Sequence, residues 1–505
     1  MATPPEKLAQ SLRILNELQE RGVSAIRSKN MTRTHRERLQ QNGFIREVMK
    51  GWYVPTRPDE APGDSTAWYA SYWGFCADYL NDRFGDDWCM SAEQSIAIKT
   101  GNWNVPKQLI IRSSKGGNKP TNLLFDTSIL DLRLELPEPS DTEVVDGLRI
   151  VRLPSALLAI PKVHYAARPL DMRAALAMLM DITDLLRRLL DGGHSVIAGR
   201  LAGAYGNLGR DDIAQNIVDT MKSAGYTVSA TDPFKDKTPS AFTPRQISPY
   251  VNRVKVMWEA MRQHVLENFP APPGAIEDHE AYLAEIEDKY VSDAYHSLSI
   301  EGYRVSEELI KQVASGNWKP DTDEEDRKQA DALAARGYWQ AFQEVKKSVE
   351  KVLKGENPGK VIASDHGTWY RELFGPSVGA GILTAGDLAG YRNRPVFIKS
   401  SMHTPPRHEA IVDLLPAFFE LLENEDEAAA RVVLGHFAFV YIHPYIDGNG
   451  RMGRFLMNLM MASGGYPWTV VTVEKRSEYM SALESASVGE DIIPFTKFLA
   501  DLLAP

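Results

Sequence analysis

Cysteine is nearly missing from this chain. Two residues, Cys76 and Cys89, among 505 cannot build a disulfide framework, and their spacing makes no zinc site without further ligands nearby. That composition fits a reducing, cytoplasmic setting. Long apolar runs are missing too. The most apolar helical stretch, residues 174–190, contains Asp181, Asp184, Arg187 and Arg188, so it reads as a core helix and no membrane association is expected. The opening residues Met1, Ala2, Thr3, Pro4 and Pro5 carry neither the basic nor the apolar region of a secretion signal. Positive charge is in deficit. A formal net charge of −10 argues against general coating of nucleic acid and leaves room only for a local basic patch. No internal repeat or low-complexity tract is visible. What remains is ordinary globular composition, 43% hydrophobic and 25% charged, in a chain too long for one core and sized for about two to four domains.

What is present concentrates in residues 443–454: His443, Pro444, Tyr445, Ile446, Asp447, Gly448, Asn449, Gly450, Arg451, Met452, Gly453 and Arg454. Residues 431–442, upstream, are apolar on almost every face and read as a buried helix ended by Pro444. Gly448 and Gly450 permit a tight backbone. A second helix is expected from about Arg451 to Ser463, stopped by Gly464 and Gly465. The motif is therefore a loop entering a helix N-terminus, where free amides and the helix dipole attract anions. Arg451 and Arg454 share the first turn, where cations oppose the dipole unless an external polyanion explains them. Asp447 is a hard oxygen ligand suited to Mg2+ bridging phosphates, Asn449 can bond a phosphate oxygen, and His443 can take a proton from an incoming hydroxyl.

Residues 443–454 resemble the signature of the Fic-domain nucleotidyltransferases, HxFx[D/E]GNGRxxR, with Tyr445 in place of the usual Phe. The resemblance continues in Gly464, Gly465, Tyr466 and Pro467, in Arg476, Ser477, Glu478 and Tyr479, and upstream in residues 391–398, so that it spans about 369–502. It implies ATP as substrate, Mg2+ as cofactor and a protein target bearing a hydroxyl side chain. His443 would be the general base, Asp447 the metal ligand, and Gly448, Asn449, Gly450, Arg451 and Arg454 the phosphate cradle. In such relatives a strand–turn flap lies over the target. Residues 394–399 are read as its strand, with an edge free to pair with a target segment and with Val396 holding the target or nucleotide from above. Pro405 and Pro406 are expected to open the next helix, and Pro416 to kink it. Tyr479 matches a position next to the adenine, near Arg476, while Ser487 replaces the Asn of close relatives. Upstream, residues 297–302 match the inhibitory motif [S/T]xxxE[G/N]. The resemblance implies that Glu301, with Ser297 on the same helical face, pairs with Arg454 and occupies the γ-phosphate position.

The front of the chain reads differently. An amphipathic helix over Leu8, Leu12, Leu15 and Leu18, a short second helix from Ser24 or Ser28, a third over residues 32–41, and two strands around Met49, Lys50 and Gly51 predict a winged helix-turn-helix over residues 1–58. Between Arg21 and Lys50, eight basic residues (Arg21, Arg27, Lys29, Arg33, Arg36, Arg38, Arg46 and Lys50) face only Glu37 and Glu47, a local footprint for DNA. Residues 66–234 predict an α+β domain with strands at 108–112, 122–125 and 148–153 and helices elsewhere. With the winged helix, this order resembles the AbiEi-type antitoxins, which are transcriptional autoregulators. A proline-bearing linker over 231–244 leads to helices at 248–269, 278–298 and 323–353.

The fold class expected is mainly α: a helical Fic domain with a β-hairpin flap over 245–505, preceded by the winged helix and the α+β domain. The function expected is an autoinhibited protein adenylyltransferase that transfers AMP and can also remove it, with a DNA-binding module and homodimerisation as accompaniments. The alternatives are a regulator whose Fic portion senses nucleotide and a toxin–antitoxin fusion.

Overall fold

The computed structural model describes residues 3–21, 23–58, 60, 63–234, 248–315, 326–388 and 390–503. Most of the expected linker, and Asp321, Thr322 and Asp323 at the expected start of the third long helix, lie outside the described residues. The chain is mainly helical and falls into two compact units: Met1–Arg253 with Phe397–Thr404, and Val254–Val396 with Pro405–Pro505.

The first unit begins with α1 (Pro4–Glu20), β1 (Ile26–Arg27), α2 (Arg33–Gln41), β2 (Ile45–Met49) and β3 (Trp52–Pro55). The strands form an antiparallel sheet in the order β1-β3-β2 over a small core of Leu15, Leu18, Ile26, Leu39, Ile45 and Tyr53. The expected second helix is a single 3-10 turn, Ser28–Asn30. Its backbone is used elsewhere: Ser28 N–H donates to the Gly51 carbonyl (2.9 Å), and Arg27 N–H donates to Asn30 Oδ1 (2.7 Å). The basic footprint is partly neutralised by acids distant in sequence. Arg27 and Lys29 both reach Asp82, and Arg46 pairs with Glu60 at 3.3 Å.

Next come α3 (Thr66–Phe84), β4 (Cys89–Met90), α4 (Ala92–Lys99), β5 (Gln108–Ser113), β6 (Pro120–Asn122), β7 (Ser128–Arg133), β8 (Thr142–Val145) and β9 (Leu148–Val151). The order β4-β5-β7-β6 makes one sheet, with β5 and β7 parallel, and β8-β9 make a hairpin. The third expected strand is shorter than read, because Leu153 opens the next helix. The second stops at Asn122, because Phe125 and Asp126 take positive φ (50° and 57°) in the turn that leads to β7. Trp68, Tyr72, Phe75, Cys76 and Leu80 of α3 bury against these strands. Both cysteines are buried free thiols. A helical bundle follows: α5 (Leu153–Ala159), α6 (Lys162–Ala167), α7 (Pro169–Met178), α8 (Thr183–Asp191), α9 (Ser195–Asn207) and α10 (Asp211–Ser223). Pro161 and Pro169 sit at its helix starts.

The segment Phe397–Thr404 belongs to this unit. Met402 carbonyl accepts from Val105 N–H (3.0 Å), His403 Nδ1 lies 2.9 Å from Asn104 Oδ1, and Lys399 Nζ lies 3.7 Å from Asp64.

The second unit takes in most of α11 (Pro249–Asn268), then α12 (His279–Ile300), α13 (Glu307–Ala314), α14 (Asp326–Leu353), α15 (Pro358–Gly379), α16 (Ile411–Asn424), α17 (Ala428–Ile442), α18 (Asn449–Ser463), α19 (Arg476–Ser487) and α20 (Ile493–Asp501). Helices α17 and α18 pack on each other, and α12, α14 and α15 pack around α18. Helix α17 is buried at nearly every position from Ala428 to Ile442. Among the described residues no helix is long and apolar enough to cross a membrane.

Two expectations for the segment before α17 are corrected. Residues 394–399 form no strand. The carbonyls a hairpin ladder would need are taken by others: Arg392 binds those of Arg394 and Pro406, and Val105 binds that of Met402. Pro406 does not open a helix directly, because a 3-10 turn, His408–Ala410, intervenes, and α16 then runs unbroken through Pro416. Proline removes one helical donor there, while burial of Leu414, Leu415, Ala417, Phe418 and Leu422 holds the helix.

Candidate functional site

Residues 443–448 join α17 to α18. His443 caps α17 in the left-handed region, φ 53° and ψ 59°, an unfavourable choice for a residue with a side chain. Its Nδ1 lies 3.2 Å from the Val440 carbonyl, so Nδ1–H is the donor and Nε2 keeps a free lone pair. Desolvation, with a smaller contribution from the nearby Arg392 guanidinium, pushes the imidazole down to about 4. At neutral pH it is a neutral base.

Gly448 caps α18 at φ 79°, and a Cβ there would meet the Phe374 ring at 2.7 Å. Only glycine suits both the torsion and the space. Asn449, read from the sequence as able to bond a phosphate oxygen, turns its side chain into the loop. It is 1% exposed, its Oδ1 accepts from Tyr445 N–H (2.9 Å), and its Nδ2 donates to the Tyr445 carbonyl (2.8 Å). Its amide is spent on shaping the loop. A Cβ on Gly450 would collide with the Glu301 carboxylate, so this glycine leaves room above the helix end for an acidic group.

Arg451 and Arg454 are both almost fully buried. The Arg451 guanidinium lies between the rings of Tyr303 and Phe374, 5.1 and 4.9 Å from their centroids, with Asp447 Oδ2 at 3.4 Å. Arg454 donates through Nε to Ser297 Oγ (2.9 Å), and through Nη2 to the Ser297 carbonyl (3.0 Å) and Glu301 Oε1 (2.8 Å). Burial works to raise the Glu301 carboxyl, but Arg454 and Arg451 outweigh it and hold the group below its ordinary value. Arg454 is correspondingly raised: burial opposes its charge and Glu301 more than compensates. Two buried guanidinium nitrogens, Arg451 Nε and Arg454 Nη1, have no hydrogen-bond partner. Unpaired donors of this kind are costly, and an anion at the α18 N-terminus would satisfy them.

Asp447 is the exposed member of the loop, with its side chain 64% accessible. Among the described residues no group of three or more His, Cys, Asp or Glu side chains could hold a metal by itself. A single outward carboxylate suits Mg2+, which keeps waters and binds through one or two carboxylates plus phosphates.

Two other residues were expected at the site, Tyr479 and Val396, and Tyr479 lies close enough to Arg454 and Glu301 to feel their charges. Tyr479 is 1% exposed, and its hydroxyl donates to His436 Nε2 (2.7 Å), whose Nδ1–H reaches the Gly453 carbonyl (2.8 Å). Through this relay it braces α18 from within the core. Val396 is half-buried in extended chain. Three residues escaped sequence reading. Tyr303 and Phe374 sandwich Arg451, but aromatic residues outside a motif give no signal of that. Asp293 is buried two turns before Glu301 and bonded by the Tyr338 hydroxyl (2.9 Å); its spacing from Ser297 and Glu301 was the available clue.

Residues 368–461 match the Fic/DOC family, so the chain carries a Fic domain. Protein adenylyltransferase Fic of Drosophila willistoni is 36% identical over 115 residues, 22% of this chain and 22% of that protein. The protein of the same name from Drosophila virilis is 36% identical over 115 residues, 22% of this chain and 23% of that protein. The chain thus spans less than a quarter of the length of these relatives. Among solved structures, Fic-1 (residues 134–508) from C. elegans aligns with 69% of this chain and 88% of its own at 17% identity, with a TM-score of 0.37. A Fic domain containing signaling protein from Bacteroides thetaiotaomicron aligns with 49% and 92% at 18% identity, with a TM-score of 0.33.

Proposed function

We propose that the second unit is an autoinhibited protein adenylyltransferase. The observation that carries this reading is the pair of buried, unpartnered guanidinium nitrogens on Arg451 and Arg454, beneath a loop that also holds a neutral imidazole. The polyphosphate of ATP would lie at the α18 N-terminus, over Gly450 and against both arginines. His443 Nε2 takes the proton of a Ser, Thr or Tyr hydroxyl on the target. That oxygen attacks the α-phosphorus, a P–O bond forms, and the bond to pyrophosphate breaks. Mg2+ held by Asp447 would neutralise charge on the α- and β-phosphates. The chain's own contribution is positioning and charge compensation, which dominate phosphoryl-type transfer.

Inhibition is supported by Glu301, which already occupies Arg454 and the space over Gly450. A γ-phosphate must displace it. The same carboxylate can position a water for AMP removal. The test is transfer from α-labelled ATP into a cell lysate by wild type, Glu301→Gly and Glu301→Gly/His443→Ala. Label appearing only with Glu301→Gly supports the proposal. No label from any protein overturns it in favour of a regulator that senses nucleotide, which would keep its activity in His443→Ala.

Residues 1–58 are proposed as a winged-helix DNA contact controlling that activity or its expression, as in an antitoxin. The support is the order of α1, β1, α2 and the β2-β3 wing, with Arg33, Arg36 and Arg38 on α2 and Lys50 on the wing. Binding of duplex DNA that weakens with rising salt is the expected result, and an Arg36→Ala/Lys50→Ala protein with unchanged affinity counts against it.

A further inference from the structure

We propose that Arg392 is the positioning residue that holds His443 in its reactive geometry. This rests on the transferase reading above. His443 ends α17 with left-handed torsions, an unfavourable conformation that persists only where the surroundings impose it. Arg392 is that surrounding. It comes from a segment about fifty residues earlier and is 3% exposed. Its Nε donates to the His443 carbonyl at 2.7 Å, and its own N–H donates to the Pro444 carbonyl at 2.9 Å. Nη2 reaches the carbonyls of Ile442 (3.4 Å) and Pro406, and Nη1 reaches that of Arg394 at 3.4 Å. One residue therefore grips three consecutive carbonyls, those of Ile442 and His443 through its guanidinium and that of Pro444 through its backbone N–H, with the left-handed residue in the middle.

The choice of partners separates this arrangement from an ordinary core salt bridge. Buried arginines are usually neutralised by a carboxylate. Among the described residues every hydrogen-bond acceptor of Arg392 is a backbone carbonyl. The positive charge, which Glu409 offsets only from a distance and without a hydrogen bond, acts on His443 and favours the neutral imidazole that a base requires. The fork also ties the loop to both ends of the segment that leaves at Arg394 and returns at Pro406. A lysine could supply the charge but, as a point donor on a flexible stem, not this grip.

The residue next to Arg392 reinforces the arrangement from the ring side. Tyr391 bonds His366 Nε2 at 2.9 Å and lies 5.7 Å from the Tyr445 ring, which itself stacks on Tyr370 at 3.8 Å. Tyr445 is the residue whose backbone Asn449 clamps. The loop is thus held by Arg392 at its entry and by Asn449 in its middle. The His443 imidazole follows the backbone so fixed.

The experiment uses the full chain. Glu301→Gly is compared with Glu301→Gly/Arg392→Lys and Glu301→Gly/Arg392→Gln for kcat and for KM of ATP. In parallel, wild type and the single Arg392 variants are labelled with 15N-histidine, and the His443 signals are identified by their loss in His443→Ala. The expected result is a fall in kcat of about 10²-fold in both Arg392 variants with KM for ATP unchanged, the magnitude set by small misplacement of a reacting group. In wild type, His443 is expected as the single Nδ1–H tautomer, with a mixture of tautomers once Arg392 is replaced. Unchanged kcat together with unchanged 15N signals overturns the proposal and leaves the transferase reading standing. A mixture of tautomers in wild type overturns it without any variant. Should Glu301→Gly itself fail to transfer label, the transferase reading falls and the tautomer of His443 alone decides whether Arg392 positions it.

Discussion

Single side chains here do work that their sequence context disguises. Asn449 lies inside the signature yet contacts only the loop that carries it, so Asn449→Ala is expected to destabilise the protein by about 1–3 kcal/mol, since two buried backbone groups of Tyr445 lose their partners. Chemical denaturation measures this, and a change below about 0.5 kcal/mol, the size of an ordinary surface substitution, contradicts the assignment. Tyr479→Phe makes the complementary test. It strands His436 Nε2 in the core and should lower the melting midpoint. The residue types at this site were legible because catalysis restricts them: a base, a hard acid, two glycines and two arginines at fixed spacing admit few explanations. Their contacts were not. Nothing in the spacing distinguishes an asparagine that binds phosphate from one that binds its own loop.

At the scale of elements, the decisive unit is α12 against α18. Ser297 and Glu301, one turn apart, both end on Arg454. Removing Glu301 leaves a buried guanidinium uncompensated, which is typically worth about 3–5 kcal/mol. Glu301→Gly should therefore melt earlier than wild type, and ATP should raise its midpoint by more than it raises that of wild type, because a bound phosphate supplies the missing charge. Equal shifts in thermal melts with and without ATP would argue against Glu301 and phosphate sharing one position. Ser297→Ala, which removes one acceptor and keeps the ion pair, should release transfer only partly, between wild type and Glu301→Gly. Helices were the legible elements, since apolar patterning reports burial directly, as in α17, which is apolar on almost every face. Strands needing distant partners were not. β7 takes its place by pairing in parallel with β5, Ser128 opposite Gln108, which no local pattern reports, and residues 394–399 have strand composition without a ladder to join.

Across the whole molecule, buried imidazoles make stability depend on pH. His443 is pushed down to about 4 and His436 to about 3, both chiefly by desolvation, against about 6.5 in an unfolded chain. Below pH 6.5 the unfolded chain takes protons that the folded chain refuses, so these groups cost stability progressively as pH falls from 6.5 towards 4 and contribute no slope above 6.5. Asp293 acts the other way. Burial raises it to about 6, so folded protein holds its proton between about 4 and 6 while the unfolded chain has lost it. Two groups outweigh one, and urea midpoints should fall on acidification across this window, less steeply in His443→Gln. A midpoint that rises towards pH 4 contradicts the burial of these histidines. The overall class, helical with small sheets towards the front, could be read from patterning alone. The division into units could not, because no local pattern announces that a chain will leave one unit and come back. That excursion has a consequence during synthesis. Residues 1–253 emerge from the ribosome well before Phe397–Thr404, the remaining piece of their own unit. At typical elongation rates the gap is on the order of ten seconds or more, longer than most domains need to fold. Through that interval the Asp64 carboxylate, the Asn104 amide and the Val105 N–H wait for a segment of chain not yet made. A nascent front half is therefore incomplete, and a gene cut after Arg253 would yield a protein permanently in that condition.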